Sequence, residues 1–130
     1  MAFMEEKACA VSMVAGEDLL TGGDAGYQHH AVKIDGDGNA AVVDTDNEVP
    51  YGILSAPADE GETCSVVISG ITSAVAGGDV VPGDLVRVSD AGRVVKAESA
   101  GDRPIGWARA SASEGEIVGI DFRTMLPAVE

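Results

Sequence analysis

Aromatic residues make up only 4% of this 130-residue chain: one Trp, two Tyr and two Phe. Hydrophobic residues still reach 45%, so the core of one domain must be filled by Val, Ile, Leu and Ala. Basic residues are also scarce. Eight Lys and Arg stand against 22 Asp and Glu, a formal net charge of −14. That balance excludes nucleic acid as a partner and argues against an anionic membrane surface, because both repel such a chain. It leaves a solvated acidic surface or a partner with positive patches.

Cysteine is nearly absent. Cys9 and Cys64 form neither a disulfide framework nor a C-x-x-C pair, so free buried thiols are expected. The two histidines, His29 and His30, are adjacent. On a strand their side chains point to opposite faces and cannot chelate one ion. A catalytic triad would need one of them beside Cys9, Cys64 or a serine, and no G-x-S-x-G elbow is present; "VISGIT" has the wrong order. No apolar run approaches membrane-spanning length, and Met1–Lys7 carries acid rather than a basic n-region. These features predict synthesis in the cytoplasm without a signal peptide.

What the chain has in quantity is glycine, 17 residues, and β-branched residues. Together they predict short strands joined by tight turns. The strongest signal is an internal repeat. Residues 32–68 align with residues 86–122 at a constant offset of 54 without a gap. Val32, Gly38, Pro50, Gly52 and Gly61 recur as Val86, Gly92, Pro104, Gly106 and Gly115. The matches gather at glycine and proline, where backbone geometry is most constrained, which predicts two copies of one supersecondary unit. A short "GGD" precedes each copy, at Gly22–Asp24 and Gly77–Asp79, with the offset slipped by one.

Within each copy apolar and polar residues alternate with period two, as at Val32 and Ile34, Val86 and Val88, Cys64 to Ile68, and Val118 to Phe122. "DEGE" and "SEGE" read as hairpin turns, and no stretch keeps a helical period over three turns. The expected fold is all-β, a small β-sandwich or β-barrel-like body of two tandem repeats with an extended N-terminal arm. The arm covers residues 1–20, and a single all-β domain covers 21–130. The arm pairs with this chain or with a neighbour, or is a free terminus.

The candidate sites are few. "KIDGDGNAAVVD", residues 33–44, begins like an EF-hand loop, with Asp35, Asp37 and Asn39 at positions one, three and five. Position six is Ala40 instead of Gly, and position twelve is Asp46 instead of Glu. In the second copy Ser89, Ala91 and Arg93 replace all three candidate ligands, and only the glycine survives. The reading is a polar hairpin turn, with no metal, cofactor-binding or catalytic residue assigned. Glycine-rich pieces such as "AVAGGDVVPGD" lack the P-loop Lys-Ser/Thr and the G-x-G-x-x-G spacing. Glu60/Glu62 and Glu114/Glu116 flank hairpin glycines and read as solvated turns. Trp107 replaces Ile53 in the repeat and reads as core, with an interface anchor as the alternative.

Read in order, "AGEDL", "HHAVKIDGDGNAAVV", "PYGILSAPADEGETCSVVISG", "ITSAVAGGDVVPGDLVRVSDAGRVV" and "PIGWARASASEGEIVGIDF" resemble the capsid cement, or head decoration, proteins of tailed bacteriophages. The resemblance implies a structural protein, not an enzyme, on the outer capsid surface of the virion. It implies binding to the major capsid protein, commonly as a trimer that bridges neighbouring subunits and stabilises the shell. No cofactor follows from it. Two other classes remain open at this level. Lipoyl- or biotin-type carriers need a lysine at a hairpin tip, whereas Lys33 and Lys96 sit in strand-like runs. A secreted or surface β-module binding calcium or carbohydrate would bring a signal peptide and surface aromatics.

Overall fold

The computed structural model describes residues 8–21, 26–123 and 126–129. Among them there are nine strands and no helix: β1 (Cys9–Val14), β2 (Ala31–Ile34), β3 (Ala40–Val42), β4 (Gly52–Ala56), β5 (Thr63–Val75), β6 (Leu85–Val88), β7 (Val94–Lys96), β8 (Gly106–Ala108) and β9 (Ile117–Phe122). They form one strongly curled antiparallel sheet, ordered β3-β2-β4-β5-β9-β8-β6-β7, with β1 added on β5. The order reads the same from both ends once the offset of 54 is applied. The all-β, barrel-like fold with two tandem repeats is therefore what the chain adopts.

The repeat holds at the level of register. Val32 faces Val42 in one unit and Val86 faces Lys96 in the other. Ile53 faces Val67, and Trp107 faces Asp121. The strand that opens each unit follows the same rule with a different offset. Val14 of β1 lies opposite Thr63, and Val75 of β5 lies opposite Ile117. Ala15 and Ala76 then donate their N–H groups to the carbonyls of Glu62 and Glu116, each at 2.8 Å. One long strand thus serves both units: the first half of β5 closes the first, and its second half opens the second.

This register corrects the assignment of "GGD". The residues equivalent to Ala76 and Gly77 are Ala15 and Gly16, not the stretch Gly22–Asp24, which lies outside the described residues. Gly16 donates to the Ala40 carbonyl as Gly77 does to that of Val94. The match is visible once sought: "VSMVAGEDLL" (11–20) aligns with "TSAVAGGDVV" (72–81). Here the offset is 61 and beyond Ala31 it is 54, a difference of 61 − 54 = 7. The first unit therefore carries seven extra residues between Leu20 and Ala31.

Each unit has its own core, built from equivalent positions. Ala15, Leu19, Val32 and Ala40 pack with Leu54, Ala58, Cys64 and Val66. Their counterparts Ala76, Val80, Val86 and Val94 pack with Ala108, Ala112, Val118 and Ile120. Volume is exchanged within the set: Ala40 and Leu54 become Val94 and Ala108, the kind of compensated swap cores tolerate. The second core extends into a further layer, including Ala31, Val43 and Ile53 from the first unit and Val88, Ile105 and Phe122 from the second. That layer joins the two units into one body. The described part of the N-terminal stretch belongs to this body: β1 pairs with β5, and Ala15 and Leu19 are fully buried.

Two sequence readings change. Cys64 is buried, and burial pushes its thiol pKa up, but Cys9 is exposed. Trp107 is half-buried and lies outside the core, unlike its counterpart Ile53. Only Ile53 faces the layer between the units; the Trp107 ring instead carries the Arg123 guanidinium 5.3 Å from its centroid.

Candidate functional site

The opening candidate, the 35–39 turn, is held by its own side chain. Asp35 Oδ1 accepts the N–H groups of Asp37 and Asn39, both at 2.9 Å, while the backbone closes Asp35 N–H to Asn39 O and Gly38 N–H to Asp35 O. Gly38 supplies the left-handed φ of 82°. The second unit repeats the backbone bonds at Ser89 and Arg93, and Ser89 Oγ accepts from the Ala91 N–H at 3.3 Å. Asp35 therefore acts as a turn acceptor. Asp35→Ala is expected to lower stability by about 1–2 kcal/mol, from two lost charge-assisted bonds. Asp35→Ser should recover part of that loss in urea unfolding.

A seam runs between the units. Ala31 donates to the Gly92 carbonyl at 2.7 Å, and Asn47 donates to the Val88 carbonyl at 2.9 Å. Arg87 crosses the same seam, with Nη1 2.8 Å from Asp46 and Nε 3.4 Å from Asp102. Its counterpart Lys33 pairs instead within its own unit, with Asp44 at 2.7 Å. The single change from Lys to Arg gives a fork that reaches both carboxylates.

Both histidines sit on this seam, just past the seven-residue excess: they bond the backbone of Leu54 as Gly83 and Asp84 bond that of Ala108. His29 adopts φ 68°, accepts the Val75 N–H at 3.2 Å and donates its own N–H to Leu54 O at 2.6 Å. The His30 ring packs edge-on against Tyr27, centroids 5.3 Å apart, and its Nδ1–H donates to the Gln28 carbonyl at 3.2 Å. Burial holds both imidazoles below the ordinary histidine value, and for His30 the Arg93 guanidinium adds to the effect. The unfolded chain therefore binds protons more readily than the folded one, and stability falls as pH drops below about 6.5. The expected result is a melting temperature that declines from pH 7 to pH 5, with a shallower decline in His30→Gln.

The surface carries two further features that residue patterns did not reveal. One is a set of exposed apolar side chains at equivalent places: Leu20 is 46% exposed and Val81 is 53% exposed. The other is an apolar cleft of about 370 Å³ where the two units meet, lined by Val49 and Pro50 of the first and Pro104, Ile105 and Phe122 of the second. The C-terminal residues Leu126 and Ala128 form a wall, held by the Val129 N–H bonded to Asp102 O. Leu20 and Val81 could have been found from the "VAGEDLL"/"VAGGDVV" match. The cleft could not, because its walls are far apart in sequence.

Among the described residues no three His, Cys, Asp or Glu side chains come together as a metal site, and no helix is long and apolar enough to cross a membrane. What the geometry offers is surface: a double unit with exposed apolar side chains at Leu20 and Val81 and a net charge of −14.

A model of the family described as phage cement protein matches residues 27–120. The chain belongs to the phage cement protein family. No curated protein matches it. Among solved structures it is similar to the head fiber gp8.5 N base of bacteriophage phi29, with a TM-score of 0.66 and 18% identity, covering 89% of this chain and 94% of that one. At that identity the likeness concerns the fold. The family match spans all of β2 to β8 and both seam-forming segments, so the double unit is the body of a phage capsid-associated structural protein found in the virion. As a cement protein it belongs with structural proteins rather than with enzymes.

Proposed function

We propose that this cement protein binds the outer surface of an icosahedral phage head and bridges neighbouring major capsid proteins, so that the shell better resists outward pressure. The observation that carries this reading is membership of the cement family over residues 27–120. The net charge of −14 suits a surface facing solvent better than one facing packed DNA. The exposed pair Leu20 and Val81 supplies apolar contact points at related positions of the two units. Contacts that are individually modest add up when symmetric copies bind together, and a homotrimer is the assembly proposed. The protein does its work without catalysis, cofactor, nucleic acid or membrane, after synthesis in the host cytoplasm.

The test is cosedimentation with expanded heads that lack decoration, with the mass of the free protein measured beforehand by light scattering. Binding at a fixed ratio to the major capsid protein, weakened at least tenfold in Leu20→Asp/Val81→Asp, is expected; tenfold corresponds to about 1.4 kcal/mol. A protein that stays in the supernatant at every capsid concentration overturns the proposal.

A further inference from the structure

The cleft between the units has a chemistry that specifies its occupant. Its walls are apolar, and its two charged members are Arg103 and Arg123, both exposed. In a chain with 8 basic and 22 acidic side chains, two guanidinium groups beside one apolar groove mark the place where acid is wanted. Arg123 is held toward Asp121, with Nη2 3.1 Å from Oδ2. Among the described residues Arg103 makes no ion pair. Val49 at the groove is 48% exposed and the adjoining Tyr51 is 38% exposed, so apolar surface is left uncovered there. An occupant must therefore present apolar side chains and carboxylates together.

The chain has such a segment within reach. Cys9 lies opposite Ser69, and Phe122 lies opposite Gly70, the next residue on β5. Ladder and backbone spacings put Cys9 within about 15 Å of Phe122, a wall of the cleft. The segment preceding Ala8 reads "MAFMEEK" and spans up to about 23 Å when extended. Its order also fits. Going back from β1, the sequence carries Lys7, then the carboxylates Glu6 and Glu5, and then the apolar Met4 and Phe3.

We propose that Met1–Lys7 of the same chain docks in the cleft between the two units, its glutamates on Arg103 and Arg123 and its Phe3 and Met4 against Val49, Leu126 and Ala128. The segment then covers the junction of the two units and makes their union depend on the N-terminus. This proposal concerns the free protein and is independent of how it meets the capsid.

A nitroxide on Ala2→Cys, in a Cys9→Ser background that leaves only the buried Cys64, reads the docking directly in isotope-labelled protein. The backbone amides of Ile105, Phe122 and Ala128 are expected to lose most of their intensity, while those of Asp37 and Gly38 keep it. Arg103→Glu should restore the lost signals, and adding Glu5→Lys/Glu6→Lys should remove them again. Unbroadened amides around the cleft overturn the proposal. So does broadening seen only when spin-labelled and isotope-labelled chains are mixed, since the occupant would then be a second copy. Broadening indifferent to Arg103→Glu overturns the pairing with arginine.

Discussion

Gly106→Ala is expected to cost about 3 kcal/mol or more and to lower the melting temperature by about 10 °C, whereas Gly119→Ala, thirteen residues on, should be neutral or slightly stabilising. Gly106 opens β8, where it lies opposite both Val86 and Phe122. A Cβ built on it would overlap the Asp121 carbonyl oxygen, and its next neighbours, Asp121 C and Phe122 Cα at 2.9 and 3.2 Å, are backbone too. None of these atoms can turn aside as a side chain would. They belong to β9, which is tied on its other edge to β5, so relief requires opening the ladder that joins the two units. Glycine in a strand interior marks such close backbone approach. Gly119 lies on the same β9 strand, but a Cβ there meets nothing within 4 Å and its backbone needs no left-handed φ. The equivalent Gly52 faces the Val67 carbonyl and the Val66 side chain in the same way, so Gly52→Ala should behave like Gly106→Ala. Thermal unfolding of the three variants checks the order. Equal losses at Gly106 and Gly119 would mean that the cost reflects β-propensity and not the crossing.

These glycines also explain what could be read from the sequence. The offset of 54 was visible because its matches fall where the backbone has no alternative: Gly52 and Gly106 at strand crossings, Gly38 and Gly92 at turns with φ 82° and 76°. Period-two alternation placed β6 and β9, since those strands bury one face; in β2 it held at Val32 but not at Ile34, which is exposed near the hairpin turn. The role of β1 was hidden by seven additional residues, which break a constant offset without disturbing a single ladder bond. Trp107 misled because equivalent residues need not have equivalent surroundings: the layer between the units takes Ile53 and leaves the opposite side of β8 open. The cleft was out of reach for a related reason. Val49, Ile105 and Leu126 meet only because β5 is shared and brings the end of one unit against the other. Pairwise periodicity carries no information about that meeting.

Phe122 is where the departure from symmetry matters most, and Phe122→Ala is expected to cost about 3–5 kcal/mol. The side chain is fully buried and stands first among the largest of the core. Both of its ladder partners, Gly70 and Gly106, lack side chains, which leaves the ring free of cross-strand neighbours and available to the layer shared with Ile53 and Ile105. Its counterpart Ile68 is only partly buried against the core of the first unit, so Ile68→Ala should cost about 1–2 kcal/mol, the share of an aliphatic side chain that is not wholly removed from water. The unequal losses carry a second expectation. If Phe122 holds the two units together, its removal lowers the cooperativity of unfolding as well as the midpoint, and the urea dependence of stability becomes less steep. A total stability of about 5–15 kcal/mol leaves room to observe this while the protein still folds. Equilibrium unfolding followed both by Trp107 fluorescence, which reports on the second unit, and by far-ultraviolet circular dichroism, which reports on both, distinguishes the outcomes. Coincident curves with unchanged slope would show that the ring stabilises the second unit alone. Curves that separate would show that one buried phenylalanine makes a tandem pair of small β-units behave as a single body.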